Sequence, residues 1–258
     1  LPFNGDKHVG SALEILSRKV SAASLEQSVF YLKSSGVGVP QGRVRLFLIA
    51  IQRRAFDSLP EYLRLLWQAE DGLAALIQVN NHAPTVSEAL IDIGTDGYRF
   101  LSPSEYEAFP YAKSLRFRRD LAVPALSEAE MVGGDTLHNH ELRRHKPDTT
   151  ARFELHLYLR SLGLDGHLLN RATRLDKDQI ACQIRGRLGK NGCCGREADG
   201  LVQELTEKVF KFRTKKHTQI LLDPNSPART VTTLPDDLIH YNEPRVLSVR
   251  ELARLQSF

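Results

Sequence analysis

Cysteine is scarce: Cys182, Cys193 and Cys194 are the only three in 258 residues. A disulfide framework or a four-ligand zinc site needs more sulfur at other spacings, so neither is expected. Two of the three sit side by side in Lys190-Asn191-Gly192-Cys193-Cys194-Gly195, a stretch that reads as a flexible loop with reduced thiols. Long apolar runs are lacking as well. The longest, Leu46 to Ile51, falls far short of the ~20 residues a bilayer-crossing helix needs. Leu1 to Asp6 shows no basic segment leading into an apolar one, so no secretory signal is legible. The Gly-rich stretch Gly186 to Gly195 lacks a Gly-Lys-Ser/Thr ending, which excludes a phosphate-binding loop of that type. An initiator Met is missing and the chain stops inside an expected helix, so a fragment of a longer protein is expected.

What is present is a globular composition, 41% apolar and 26% charged, in a chain long enough for one large domain or two modest ones. The formal net charge is +4. Basic residues gather at Lys113, Arg116, Arg118 and Arg119; at Arg143, Arg144, Lys146 and Arg152; at Arg171, Arg174, Arg185 and Arg187; and from Lys208 to Lys216. Such clusters suit the joint neutralisation of several phosphates, and equally suit unrelated solvated surfaces. His138, His140 and His145, with arginine abundant around them, read as phosphate or structural hydrogen-bonding groups rather than metal ligands.

Periodicity supplies the elements. Leu13, Leu16 and Val20 mark an amphipathic helix over Ala12 to Val20, and Val29 to Leu32 is a short β-prone run. Val44 to Gln52 is almost continuously apolar, which predicts a strand covered on both faces in a layered α/β sheet. The texture turns polar at Arg53 to Asp57, and a helix is expected over Ser58 to Gln68 with Pro60 in its first turn. Thr85-Val86-Ser87-Glu88 and Ser248-Val249-Arg250-Glu251 are capping boxes that open two further helices. Between them, Leu201 to Phe210 is helical in pattern and Ile220 to Leu222 is a strand candidate. Phe153, Leu155, Leu157 and Leu159 alternate like a strand, in a stretch whose length also admits a helix.

Two segments carry a resemblance. Gly38-Val39-Pro40-Gln41-Gly42-Arg43-Val44-Arg45, running into Leu46 to Ala50, is similar to the Gly-Val-Pro-Gln-x-Arg-x-Arg block of DNA cytosine-5 methyltransferases. Arg229-Thr230-Val231-Thr232, then Ile239-His240, then Arg245 to Phe258 resemble the block near that family's carboxy terminus. The order is the family's, and its target-recognition domain would fill the interval. Thr85 to Ile93, Ser104 to Arg116 and His138 to His145 resemble segments of one bacterial-type branch.

The resemblance implies an α/β fold, the carboxy-terminal edge of a Rossmann-like methyltransferase sheet plus a mixed α+β target-recognition domain. Residues 1–55 would be the catalytic part, 56–225 the recognition domain and 226–258 a return segment packing on the catalytic part. Methylating a base carbon requires flipping the base out of the duplex, and nucleophilic addition builds negative charge on its ring. Arg43 and Arg45 alternate on one side of a strand and carry charge that does not titrate away. By resemblance Arg45 contacts the flipped cytosine while Gln41 and Arg43 support the site. The alternative reading is that these arginines merely pair with acids at a strand edge. Arg116, Arg143, Arg144, Arg229, Thr230 and Thr232 would meet double-stranded DNA. Arg245, Arg250, Glu251 and Arg254 would form a structural link between recognition domain and catalytic core.

The same resemblance exposes gaps. No Pro-Cys supplies the nucleophile, no Glu-Asn-Val holds the ring nitrogen, and no Gly-rich loop suits S-adenosylmethionine. The cofactor would be bound by a missing amino-terminal half, a second expected partner, and this chain alone would be inactive. No membrane association is expected, and the setting implied is the bacterial cytoplasm at the nucleoid. The alternative is a non-catalytic DNA-binding module or remnant.

Overall fold

The computed structural model describes residues 7–69, 72–77, 83–99, 101–116, 137, 139–190, 196–216, 219–231 and 237–257. Arg118, Arg119, His138, Cys193, Cys194 and Thr232, together with the side chain of Arg116, lie outside the described residues. The fold is mixed α/β with small sheets. Packing divides the chain into two compact units, Leu1–Ala83 and Pro84–Phe258.

In the first unit, helix α1 (Lys7–Ala22) leads through Ser24, at φ 56°, into strand β1 (Leu25–Lys33). A 3-10 turn at Ser34–Val37 ends on Gly38, whose φ of 83° is the left-handed conformation glycine adopts without steric cost. Strand β2 (Val44–Gln52) then returns antiparallel, with Phe30 opposite Phe47. Their rings stack at 5.6 Å, and Phe30 is buried. Helices α2 (Arg53–Asp57), α3 (Glu61–Gln68) and α4 (Gly72–Ile77) pack on β1. Phe56 and Trp67 meet edge to face at 6.3 Å beneath them. Because these helices fold back onto β1, the packing boundary falls at Ala83, well after the change of texture at Arg53. Pro60 stands at the N-cap of α3 rather than inside its first turn.

Strand β2 departs from the sequence expectation in one respect. Its span is as read, but its apolar side chains are open: Val44 is 51% exposed, Phe47 42% and Leu46 39%. Among the described residues the sheet has two strands, and the helices of the unit cover β1, so no layer closes over β2.

The second unit is built around two apolar clusters. Helices α5 (Val86–Leu90), α6 (Pro103–Ala108) and α7 (Pro110–Arg116) flank a small hairpin of β3 (Ile93–Gly94) and β4 (Gly97–Tyr98). Four helices follow: α8 (Pro147–Ser161), α9 (Leu168–Arg171), α10 (Lys177–Lys190) and α11 (Arg196–Lys211). Leu155, Leu159, Leu168, Ile180, Ile184 and Leu205 fuse these four into one core. The ambiguous stretch is therefore helical. Pro147 occupies its first turn with Asp148 beside it, both favourable at a helix start. Short parallel strands β5 (Ile220–Leu221) and β6 (Leu238–Ile239) and the last helix α12 (Val249–Arg254) close the second cluster, in which Val86, Leu90, Leu238 and Leu255 are buried. Phe153, Ile239 and Val246 join α8 to this end. Helix α12 stops at Arg254, short of the expected Phe258, and Ser257 takes a φ of 66°.

Leu205 is fully buried among four helices, whereas Leu65 on α3 is 61% exposed. Leu205→Ala is expected to lower stability by about 2–5 kcal/mol in denaturant unfolding, and Leu65→Ala by no more than about 0.5 kcal/mol.

Candidate functional site

Gln41, Arg43 and Arg45 stand where the connection after β1 feeds into β2, and Ser34 braces that connection. Its hydroxyl donates to the Gln41 carbonyl at 2.6 Å and accepts the Arg43 amide at 3.0 Å. The Ser34 amide donates to the Arg43 carbonyl at 2.8 Å, and the Gln41 amide to the Val39 carbonyl at 2.7 Å. The turn is thus fixed by its own backbone, which leaves the side chains unspent. Gln41 is buried, yet its Nε2 has no hydrogen-bond partner among the described residues, and neither has Nε of Arg43. Arg45 is exposed on β2, its Nη1 donating to the Val44 carbonyl next to it.

In the other unit the carboxy-terminal residues Arg245, Glu251 and Arg254 are all buried and ion-paired. Glu251 closes the capping box of α12, accepting the Ser248 amide at 2.7 Å while its own amide donates to the Ser248 hydroxyl. Arg245 grips the same carboxylate with two N–H groups at 2.8 and 2.7 Å, and donates through Nε to Glu243 at 2.6 Å. Arg254 reaches Asp92 through two N–H groups at 2.9 and 3.1 Å. The Arg250 amide donates to the Asn139 carbonyl, and the Arg250 side chain is half-buried. Asp92 and Glu243 were not singled out from sequence. The signal for Asp92 was there: a carboxylate inside Leu90-Ile91-Asp92-Ile93 is a charge in an apolar run, which demands a buried partner.

The histidines serve this block. His140 is buried; its Nε2 lies 2.7 Å from the Gly94 carbonyl and its Nδ1 2.8 Å from the Ser248 hydroxyl. A carbonyl only accepts, so Nε2 carries the proton and Nδ1 accepts from Ser248. His145 accepts the Val246 amide and packs edge-on against Phe153. No group of three metal-ligating side chains occurs among the described residues. Comparison with family models, curated proteins and solved structures finds no match.

The candidate DNA-contacting residues are dispersed in sequence. Arg143, Arg144, Arg229 and Thr230 are exposed, on the segments 139–146 and 223–231. Other basic clusters are partly neutralised by exposed pairs, Arg171 with Asp165 at 3.1 Å, Arg185 with Asp199 at 2.9 Å and Lys208 with Glu204 at 2.5 Å. Each such pair contributes little stability, about 0–1 kcal/mol, but it removes a cation from the pool the sequence suggested.

Burial alone would raise the Glu251 carboxyl, but the hydrogen bonds and charge of Arg245, then His240 and the Ser248 amide, hold it below its ordinary value. His240 accepts the amides of Asn242 and Glu243 at Nδ1. Burial pushes its pKa down to about 4; Glu251 and Glu243 oppose that, while Arg245 and His140 reinforce it. Both groups are depressed relative to the unfolded chain, so their stabilisation is present at neutral pH and lost on acidification. Stability of the second unit is expected to fall between pH 6.5 and 4, by up to roughly 1 kcal/mol per pH unit from His240, and further as Glu251 protonates. Denaturant midpoints across that range check this, and His240→Asn, whose side-chain oxygen replaces Nδ1, should flatten the slope. Arg254→Met strands the Asp92 charge and is expected to cost about 3–5 kcal/mol, most of it regained in Asp92→Leu/Arg254→Met.

Proposed function

We propose that this chain is the DNA-facing portion of a DNA cytosine-5 methyltransferase, with a companion amino-terminal half carrying the nucleophile and the cofactor. One observation carries the reading. The segment 38–45 holds buried polar atoms of Gln41 and Arg43 without partners among the described residues, on a turn already fixed by Ser34. Unspent buried donors are costly, about 1–3 kcal/mol each, and persist where something else uses them. These are the residues that the resemblance gives to the flipped base and its backbone.

In that role Arg45, exposed at the strand, donates to cytosine O2 and the adjacent phosphate as negative charge develops on the ring. Arg43 and Gln41 position that arginine and the strand beneath it. The open apolar side chains of β2 suit the edge of a larger Rossmann-like sheet. The second unit serves as recognition domain, with Arg143, Arg144, Arg229 and Thr230 toward duplex phosphates. No residue of this chain is assigned to S-adenosylmethionine: the glycine-containing turn after β1, with Gly36, Gly38 and Gly42, is the segment given to the base, and the cofactor falls to the companion half. Among the described residues no helix is long and apolar enough to cross a membrane.

A second reading, a duplex-binding module without chemistry, draws on the closed packing of the second unit around its own cores and ion pairs. Co-expression with an amino-terminal half bearing the Gly-rich loop, Pro-Cys and Glu-Asn-Val separates the two. Bisulfite sequencing should then detect restored methylation, and Arg45→Ala should lower it by about 100-fold or more with duplex affinity nearly unchanged. Binding should weaken steeply with salt, and Arg144→Ala and Arg229→Ala should each reduce the log–log slope by about 1. Salt-sensitive binding with no methylation beside any matched half selects the module. Salt-insensitive binding sinks both.

A further inference from the structure

Helix α10 carries a notch on its solvent side. Ile180, Ile184 and Leu188 bury one stripe of it in the four-helix core. Cys182, Gln183, Gly186, Arg187 and Lys190 recur on another, at the three- and four-residue spacing that stacks side chains along a helix. This second stripe lines a half-open cleft of about 370 Å³, which the turn at 164–165, Leu168 and Arg171 complete. Such a volume falls within the range of small-molecule sites, roughly 300–1,000 Å³. Gly186 stands mid-stripe, and a Cβ there would meet no atom within 4 Å outside its own stretch of helix. Glycine is a poor helix former, and no neighbour demands it here. Its missing side chain keeps the cleft open down to the helix backbone.

Three cations, Arg171, Arg187 and Lys190, and one carboxylate, Asp165, line the cleft and leave it a formal charge of +2. Arg171 is held in place, donating through Nη2 to Asp165 at 3.1 Å and through Nη1 to Gln183 at 3.2 Å. Asp165 also accepts the His167 amide at 2.9 Å. Arg187 and Lys190 are exposed and have no carboxylate partner among the described residues. Helical side chains lean toward the N-terminus, which brings both back over the notch. Their place in the last turn also complements the helix dipole, but the dipole explains neither Arg171 opposite them nor the glycine beside them. A terminal phosphate fits this charge: it carries roughly −1.5 to −2 at neutral pH and three strong acceptor oxygens, which arginine and lysine recognise. A convex duplex presents single charges to a surface rather than to the floor of a notch. A bare phosphate ion would leave most of the hollow to water. Asp165 opposes a second anionic group and accepts from hydroxyls, so the body attached to the phosphate is neutral and hydroxylated.

We propose that this cleft binds a small phosphate monoester with a hydroxylated body, a sugar phosphate or a nucleoside 5′-monophosphate, its phosphate held over Gly186 by Arg171, Arg187 and Lys190. The recognised chemistry, a terminal phosphate on a sugar, is common to both. Occupancy of the cleft is independent of methylation, of the segment 38–45 and of the arginines given to duplex DNA.

The test is calorimetry on the full chain with ribose 5-phosphate, the four deoxynucleoside 5′-monophosphates, the unphosphorylated nucleosides, inorganic phosphate and a short paired duplex. At least one ester should bind saturably, about tenfold or more tighter than inorganic phosphate and than its unphosphorylated counterpart. Ribose 5-phosphate binding as well as the nucleotides supports a sugar phosphate, and nucleotides binding alone support a nucleotide. Arg187→Gln, and Gly186→Leu, which fills the notch with a better helix former, should each weaken the ester by about tenfold or more. Gly189→Leu, on the same helix but outside the cleft, should leave affinity within about twofold. Cys182 locates the ligand. In Cys193→Ser/Cys194→Ser it is the one remaining thiol, and saturating ester should slow its alkylation by iodoacetamide while duplex does not. With circular dichroism native, absence of ester binding overturns the proposal, as does binding that Arg187→Gln and Gly186→Leu leave unchanged. Protection of Cys182 by duplex alone overturns it too and makes the cleft a stretch of DNA-facing surface. Equal affinity for inorganic phosphate overturns it by reducing the cleft to a general anion site.

Discussion

The buried carboxylate of Glu251 is the point on which the second unit turns. It lies in a six-residue helix, α12, too short to be stable alone, and almost everything that fixes the helix passes through it. The Ser248 amide, two N–H groups of Arg245 and the nearby His240 ring surround one fully buried anion. Ser248 passes the constraint on to His140 and from there to Gly94. One turn later Arg254 pairs with Asp92, so the helix ties together segments far apart in sequence. Buried pairs of this kind add little net stability over apolar packing, but the cost of leaving either partner unpaired selects a single register.

The first unit presents the opposite balance. Its turn at 34–43 is satisfied by backbone and by Ser34, while Gln41 and Arg43 keep donors unused. Beyond the turn, β2 shows apolar side chains that no layer covers among the described residues. A strand with its neighbour on one side only, and polar atoms buried without partners, has the character of one part of a larger assembly. That contrast underlies the proposed division of labour: recognition on a self-sufficient unit, support for chemistry on a segment whose donors await substrate and companion.

Legibility followed the range of the interaction. The boxes at Thr85–Glu88 and Ser248–Glu251 were readable because the bonds that make them span three residues, and β2 was readable from nine consecutive positions. The stretch around Phe153 was not, since alternating leucines fit two periods; contacts with α9, α10 and α11 settled it as a helix. Arg254 was noticed for its place on a helix, but Asp92 lies 162 residues earlier, and nothing local links them. Arg171 and Arg187 stand out as one basic cluster, but the cleft between them is illegible for the same reason, since only packing brings the turn at 164–165 and α9 against α10. The coverage of β2 is not legible, because an apolar run reports what a strand prefers, not what this chain provides.

Native-state hydrogen exchange resolved by residue tests the contrast between the two units most directly. The amides of Leu252, Leu255 and His240 donate to Ser248, Glu251 and Arg245, all within the locked block. They are expected to exchange only through global unfolding of the second unit, while amides along β2 exchange through smaller, local openings. An α12 that frays well below the global limit, or a β2 protected as strongly as Leu255, would contradict both the lock and the incompleteness on which the functional proposal rests.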